Sequence, residues 1–297
     1  MPQNWREVAL DDLGVLSVRG SDATRFLQGQ LSNDMDRLEH EPSLLAGYHN
    51  PQGRVIALLR VARAAPDEVR AILPRELAGP VAERLKRYVL RAKVRITDDS
   101  ASWHVRGIVA GVDGVPEALA DEALRVKVGD APARWIALAP RAAAAPISPL
   151  GEGRRAWALL DMAQGLPQVY ARTSEAFVAQ MLNLDRIGAI DFAKGCYTGQ
   201  EVVARAHYRG RVKRRMQRLL ARVPVTLAPG DDGLLADGRS FRVVDAVQLD
   251  DGASEFLAVA PLDATAAGAG GEDEEAAGTA RSPLAAQALP LPYSLTE

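Results

Sequence analysis

Most of the apolar runs in this chain are too short for helices. EVRAILP (68–74), KVRITD (93–98), LRVKVG (124–129) and RWIALAP (134–140) each combine β-branched and aliphatic residues and stop at turn-forming or charged ones. Runs of that length pack as strands. GVLSVRG (14–20) and WHVRGIVAG (103–111) read the same way, and YHNPQGRVIALLRVAR (48–63) sets a Pro-Gln-Gly turn before a buried strand. After residue 215, RMQRLLARV, GLLADG, SFRVVDAVQ and EFLAVAP are separated by proline and glycine turns, the pattern of a small β-barrel or sandwich.

Helical spacing is rarer. RELAGPVAERLKRYVL (75–90) sets Leu77, Val81, Leu85 and Val89 on one face. SDATRFLQGQLSND (21–34) reads as a helix capped by Ser21, and TSEAFVAQMLNLD (173–185) as another with Phe177 and Met181 four apart. PEALADEAL (116–124) is a short helical piece. RAAAAPISPLGEGR (141–154) has the composition of a linker. From residue 264, AGAGGEDEEAAGTA buries too little apolar surface to order itself, so 264–297 reads as a disordered tail. The sum is an α+β chain of more than one unit.

Of the 297 residues, 47% are hydrophobic and 25% charged, and the net charge is −2, so bulk charge does not predict wholesale attachment to nucleic acid or membrane. No apolar run approaches the roughly 18 residues of a membrane span. The start, MPQNWREVALDDLG, lacks a leader pattern, and the reading is a cytoplasmic protein. One cysteine excludes internal disulfides and four-cysteine metal sites, and the four histidines are scattered, so no stable metal site is expected. There is no GxGxxG, no GxSxG elbow and no glycine loop followed by lysine.

The cysteine lies in KGCYTGQEVVAR (194–205). Gly195 and Gly199 flank Cys196, Lys194 precedes it, and Gln200, Glu201 and Arg205 follow. TGQE fits a capping box, with Thr198 as N-cap of a helix running toward Gly210. Cys196 then sits near the positive end of that helix with Lys194 as a neighbouring cation, and both favour thiolate. The plainer readings stand beside this one: a buried inert cysteine, a glutamate explained by capping, a lysine in water. RAHYRGRVKRRMQR (205–218) then carries seven basic residues and no acid, a stripe suited to phosphates or carboxylates, RNA included, or simply a solvated face.

GLPQVYARTSEAFVAQMLNLDRIGAIDFAKGCYTGQEVVAR (165–205) resembles the signature of the YgfZ family of folate-binding, iron–sulfur-maintenance proteins. GSDATRFLQGQLSNDM (20–35) and YHNPQGRVIALLRV (48–61) are similar to that family's opening segment. The likeness runs from about residue 13 to about 262. It implies a relative of the glycine-cleavage T-protein, an aminomethyltransferase, with three domains around a central hole that holds tetrahydrofolate. Residues 1–100 are then an N-terminal α+β domain sharing elements with 155–215, residues 101–154 a second, and 216–263 the small barrel. The implied role is an accessory factor for iron–sulfur cluster assembly or repair in client enzymes, tRNA-modifying ones among them. Cys196 is its working residue with Lys194 beside it, and Gly195, Tyr197, Gly199, Gln200, Glu201, Arg205 and Asp185 are the implied folate contacts.

The sequence departs from the T-protein pattern at two places. Ala57 and Leu58 stand where T-proteins carry paired aspartates, and MAQG (162–165) has no acid where they place a pterin-gripping glutamate. Alanine and leucine exchange no protons, which points away from aminomethyl transfer. A one-carbon transferase and an RNA-binding module built on 205–218 remain the alternatives.

Overall fold

The computed structural model describes residues 5–110, 124–142, 151–210, 212–263 and 282–295. Their strands form three antiparallel sheets. The first contains β2 (Leu13–Arg19), β3 (Leu44–His49), β4 (Val55–Ala65), β5 (Glu68–Pro74) and β6 (Arg95–Asp98), in the order β3-β4-β5-β2-β6. The second contains β1 (Trp5–Ala9), β7 (Trp103–Ala110), β8 (Leu124–Asp130) and β9 (Ala133–Pro140), in the order β1-β7-β9-β8. The N-terminal strand β1 therefore pairs with β7 and not with the rest of the first hundred residues.

The third sheet orders as β11-β12-β13-β10-β14, from β10 (Arg214–Ala221), β11 (Asp232–Leu234), β12 (Ser240–Gln248), β13 (Ser254–Pro261) and β14 (Gln287–Leu289). Its pairing among the described residues leaves β11 and β14 as edges. A single parallel bridge, Leu235 to Leu284, draws those two edges together.

Among the described residues four α-helices accompany the sheets: α1 (Ala23–Gln28), α2 (Arg75–Lys86), α3 (Gly151–Ala163) and α4 (Gln200–Tyr208). The stripe on α2 is buried at Leu77, Val81 and Leu85 as its period requires, and packs on β2 and β6. The largest core cluster joins first-sheet residues such as Leu16, Leu59 and Val69 to Met216, Val244 and Leu257 of the third. A second cluster joins Val15 and Ile72 of the first sheet to Val105, Ile136 and Leu138 of the second, with Trp157 of α3. The first sheet thus shares a core with each of the others.

Several sequence readings change. The helix expected over 21–34 is only α1, with Asp22 and not Ser21 at its N-cap, followed by a 3-10 turn at Met35–Glu39. The helix expected over 173–185 is a chain of turns with one 3-10 turn, Ala179–Leu182. Its polar groups are committed elsewhere: Glu175 N donates to Val55 O, Val55 N to Phe177 O, and the Ser174 hydroxyl to Ile56 O. Glu175 and Asn183 have φ of 62° and 58°, which no α-helix admits. The assumed linker ends in α3, whose buried Trp157, Ala158 and Met162 supply the face that two early glycines obscure. The helical piece at 116–124 lies outside the described residues except for Leu124. Residues 282–295 of the expected tail are ordered: β14 pairs with β10, and Tyr293 Oη donates to Gly165 O at 2.8 Å and accepts from Asn183 Nδ2 at 3.3 Å.

Under this junction Arg215 and Asp185 form a two-pronged ion pair, both contacts 2.9 Å, with side chains only 4% and 6% exposed. Arg215 also donates to Gln180 O at 3.0 Å. Removing one partner strands a charge in the interior. Asp185→Ala is expected to cost about 3–5 kcal/mol, read as a fall in the urea midpoint; a loss below about 1 kcal/mol would mean that water reaches Arg215.

Candidate functional site

The KGCYTGQE loop is held from two sides. Lys194 is buried, and its Nζ donates to three backbone carbonyls, Gln28 O and Leu31 O at 2.6 Å and Asn33 O at 2.9 Å. These carbonyls lie at and just beyond the end of α1, so the ammonium caps a helix C-terminus. Burial lowers its pKa to about 8, against the attraction of Asp34 and Asp191. Lys194 therefore points inward, whereas Cys196 is exposed and free. The cation expected to face the thiol is committed to α1 instead.

On the other side the loop meets the Pro-Gln-Gly turn. Gly199 has φ of 83°, and a Cβ there would lie 2.4 Å from Asn50 O; a Cβ on Gly53, φ 71°, would lie 2.8 Å from the Cβ of Val202. Only glycine allows this approach at either position. Gly199 is itself the N-cap of α4, without a side-chain cap bond. The capping box at Thr198 is thus not formed: the helix starts one residue late, and Glu201 falls at N2, exposed to solvent.

Tyr197 is buried with its ring centroid 5.3 Å from Lys194 Nζ and 5.8 Å from the His49 ring. Burial raises its phenol well above the usual range. His49 is 1% exposed, and neither ring nitrogen has a hydrogen-bond partner among the described residues. Burial drives its pKa down to about 4. Gly195 and Arg205 are exposed, Gln200 is half-buried, and Asp185 is bound to Arg215.

None of these nine sequence-derived residues lines either of two cavities that the described residues form between the sheets. The inner cavity, about 30 Å³, is walled by Leu58, Arg60, Trp157 and Asp161, with Arg154 at its margin. Leu58 points apolar surface at this space, and Ala57 is fully buried beside it. Asp161 Oδ1 accepts from Arg134 Nη1 at 2.8 Å, and Arg134 Nη2 donates to Gln164 Oε1 at 3.0 Å. The Arg134 guanidinium lies 4.8 Å from the Trp157 ring centroid. Burial raises the Asp161 carboxyl, and Arg134 opposes it.

The outer cleft holds about 690 Å³ and shares Arg154 with the inner one. Its walls mix apolar Ala9, Ala158, Pro229 and Val247 with Asp11, Asp12, Arg155 and Gln248, and Asp245 is a half-buried acid among them. Tyr170 Oη donates to Asp245 Oδ2 at 3.0 Å, and Ala246 N donates to Oδ1 at 2.9 Å. Burial lifts this carboxyl to about 6. Arg154 is held by Asp12 through two bonds of 2.8 and 2.6 Å. A large cleft that combines apolar walls with charged groups and a shifted carboxylate is a candidate small-molecule site. Sequence reading missed Asp161, Arg154, Tyr170 and Asp245, because they come together from separate elements and no spacing links them.

No family model matches the chain. The crystal structure of the glycine cleavage system aminomethyltransferase T from Bartonella henselae superposes with a TM-score of 0.62 at 12% identity, covering 87% of this chain and 79% of that one. This establishes a T-protein-like fold. Heterotetrameric sarcosine oxidase from Corynebacterium sp. U-96 aligns over 46% of this chain and 74% of that one, at 15% identity and a TM-score of 0.27, and adds nothing to the fold assignment. Among the described residues no cluster of histidine, cysteine and acidic side chains could hold a metal ion, and no helix is long and apolar enough to cross a membrane.

Two outcomes test the loop. Lys194→Met leaves three carbonyls unpaired and should lower stability by about 1–3 kcal/mol in urea unfolding; unchanged stability with lost function would return Lys194 to a chemical role. His49 has a folded pKa below its ordinary 6.5, so the unfolded chain takes up the proton first. Its contribution is intact above pH 6.5 and is lost as pH falls toward 4, about 3 kcal/mol in all. The stability difference between wild type and His49→Phe should therefore shift across that window; a constant difference from pH 7 to 4 would clear His49.

Proposed function

We propose that the chain is a reduced-folate-binding protein of the YgfZ type, serving iron–sulfur enzymes rather than transferring aminomethyl groups. The T-protein-like fold carries the reading, through the cleft it builds between the sheets. The fit is chemical. A pterin offers a flat apolar ring and a donor edge, and the cleft offers apolar wall segments and the half-buried Asp245 carboxylate. Asp245 would take that edge, with Tyr170 fixing its orientation and Arg154 bordering the site. Folate itself supplies a one-carbon or redox-active ring when bound.

Aminomethyl transfer is disfavoured by Leu58. Where the family likeness puts an acid, an apolar side chain faces the inner cavity, and Asp161 nearby is already bound to Arg134. The part played toward iron–sulfur clients rests on the YgfZ likeness and on Cys196, which the loop presents to solvent where a partner can reach it. A cluster would be cargo at such a contact, not a resident group.

Calorimetric titration with tetrahydrofolate tests the first half. Wild type and Cys196→Ala should both bind at micromolar concentration, and Asp245→Asn should bind roughly tenfold to a hundredfold more weakly through loss of a charge-assisted pair. Affinity should also fall below about pH 6, as Asp245 takes up its proton. No binding by wild type removes the folate reading; equal binding by Asp245→Asn moves the site elsewhere. For the second half, iron–sulfur enzyme activity in cells lacking the protein should return with wild type and not with Cys196→Ala.

A further inference from the structure

The basic stripe of the sequence divides in the structure. Arg215 is buried on Asp185, Arg218 pairs with Glu255 at 2.7 Å, and Arg214 donates to Ser240 Oγ at 3.1 Å. Of the described cations left in water, Lys213 lies just before β10, whereas Arg205 is on α4 and Arg209 at its C-cap. Arg205 and Arg209 are exposed one helical turn apart, and neither forms an ion pair among the described residues. The negative end of α4 accounts for cations there, against a mild mutual repulsion.

It does not account for the rings beside them. Phe192, from outside the helix, stacks on His207 with centroids 3.8 Å apart and 15° between planes. Tyr208 stands edge-on to both, at 6.1 and 4.8 Å, and is 68% exposed. Sequence spacing shows only Tyr208 within the stripe; folding adds Phe192. A protein-docking face would present continuous apolar surface, whereas here planar rings alternate with two cations. Rings for bases and cations for phosphates are what a single strand requires.

We propose that this face of α4 binds single-stranded nucleic acid, with bases stacking on the Phe192–His207–Tyr208 group and phosphates held by Arg205 and Arg209. The face is independent of the cleft that holds Asp245. It follows directly on the Cys196 loop, because Gly199 ends one and caps the other.

Fluorescence anisotropy of the full chain with labelled 12-nucleotide oligo(U) and oligo(dT), from 50 to 300 mM salt, tests the proposal. Wild type should bind both, with a log–log salt slope near −1.4, about 0.7 for each of two phosphate contacts. Tyr208→Ala should weaken binding roughly tenfold or more at unchanged slope, and Tyr208→Phe should retain it. The double change Arg205→Gln, Arg209→Gln should flatten the slope. All three positions are in solvent, so matching thermal melts confirm that the fold is kept. No binding at 50 mM salt, equal affinity in Tyr208→Ala, or displacement by heparin from which Tyr208→Ala is indistinguishable would each overturn it.

Discussion

The buried fork between Arg215 and Asp185 is the constraint on which the arrangement of the sheets depends. Arg215 belongs to β10 of the third sheet, and Asp185 to the turns that lie along the first. A guanidinium with almost no access to water needs its carboxylate, so the two segments are held in register with each other. Asn183 extends the link. It accepts from Arg215, donates to Met216 O at 2.9 Å, and reaches Tyr293, which in turn reaches Gly165. Gly165 adjoins Leu166, Pro167 and Gln168 in the wall of the inner cavity. The position of that wall is therefore coupled to the third sheet through side chains rather than through apolar packing alone.

What could be read from the sequence follows the range of the forces involved. EVRAILP and RWIALAP form strands at the residues expected, because alternation and β-branching act within the segment. TSEAFVAQMLNLD misled for the opposite reason. Its helical spacing is real, but Val55, more than a hundred residues earlier in the chain, claims its backbone groups and Ile56 O takes the Ser174 hydroxyl. Lys194 is the sharpest case: next to the cysteine in sequence it reads as an activating cation, and only the fold brings three carbonyls from the end of α1 to its amine. Asp245 gave no sequence signal at all, since its significance is the half-buried place it shares with Tyr170.

The two sides of the KGCYTGQE loop divide labour. The Lys194 ammonium is turned inward, where it ties the loop to α1, and the thiol is turned outward. His49 and Tyr197 fill the space between as neutral groups, which keeps a low-dielectric layer beneath an exposed sulfur. The glycines at 53 and 199 then let two segments distant in sequence approach at backbone distance, so the loop's position depends on the turn beneath it.

β14 and Tyr293 fasten parts of the chain made long before them. On the ribosome, the first and second sheets can pair while 282–295 is still unsynthesised, but the Gly165 corner and the outer edge of β10 wait for that segment. A nascent chain stalled short of it would hold two sheets, an uncapped strand edge and an unfastened cavity wall. Such an intermediate is open to chaperones and to pairing with other chains through β10. Arrival of 282–295 thus covers the β10 edge and ends that exposure.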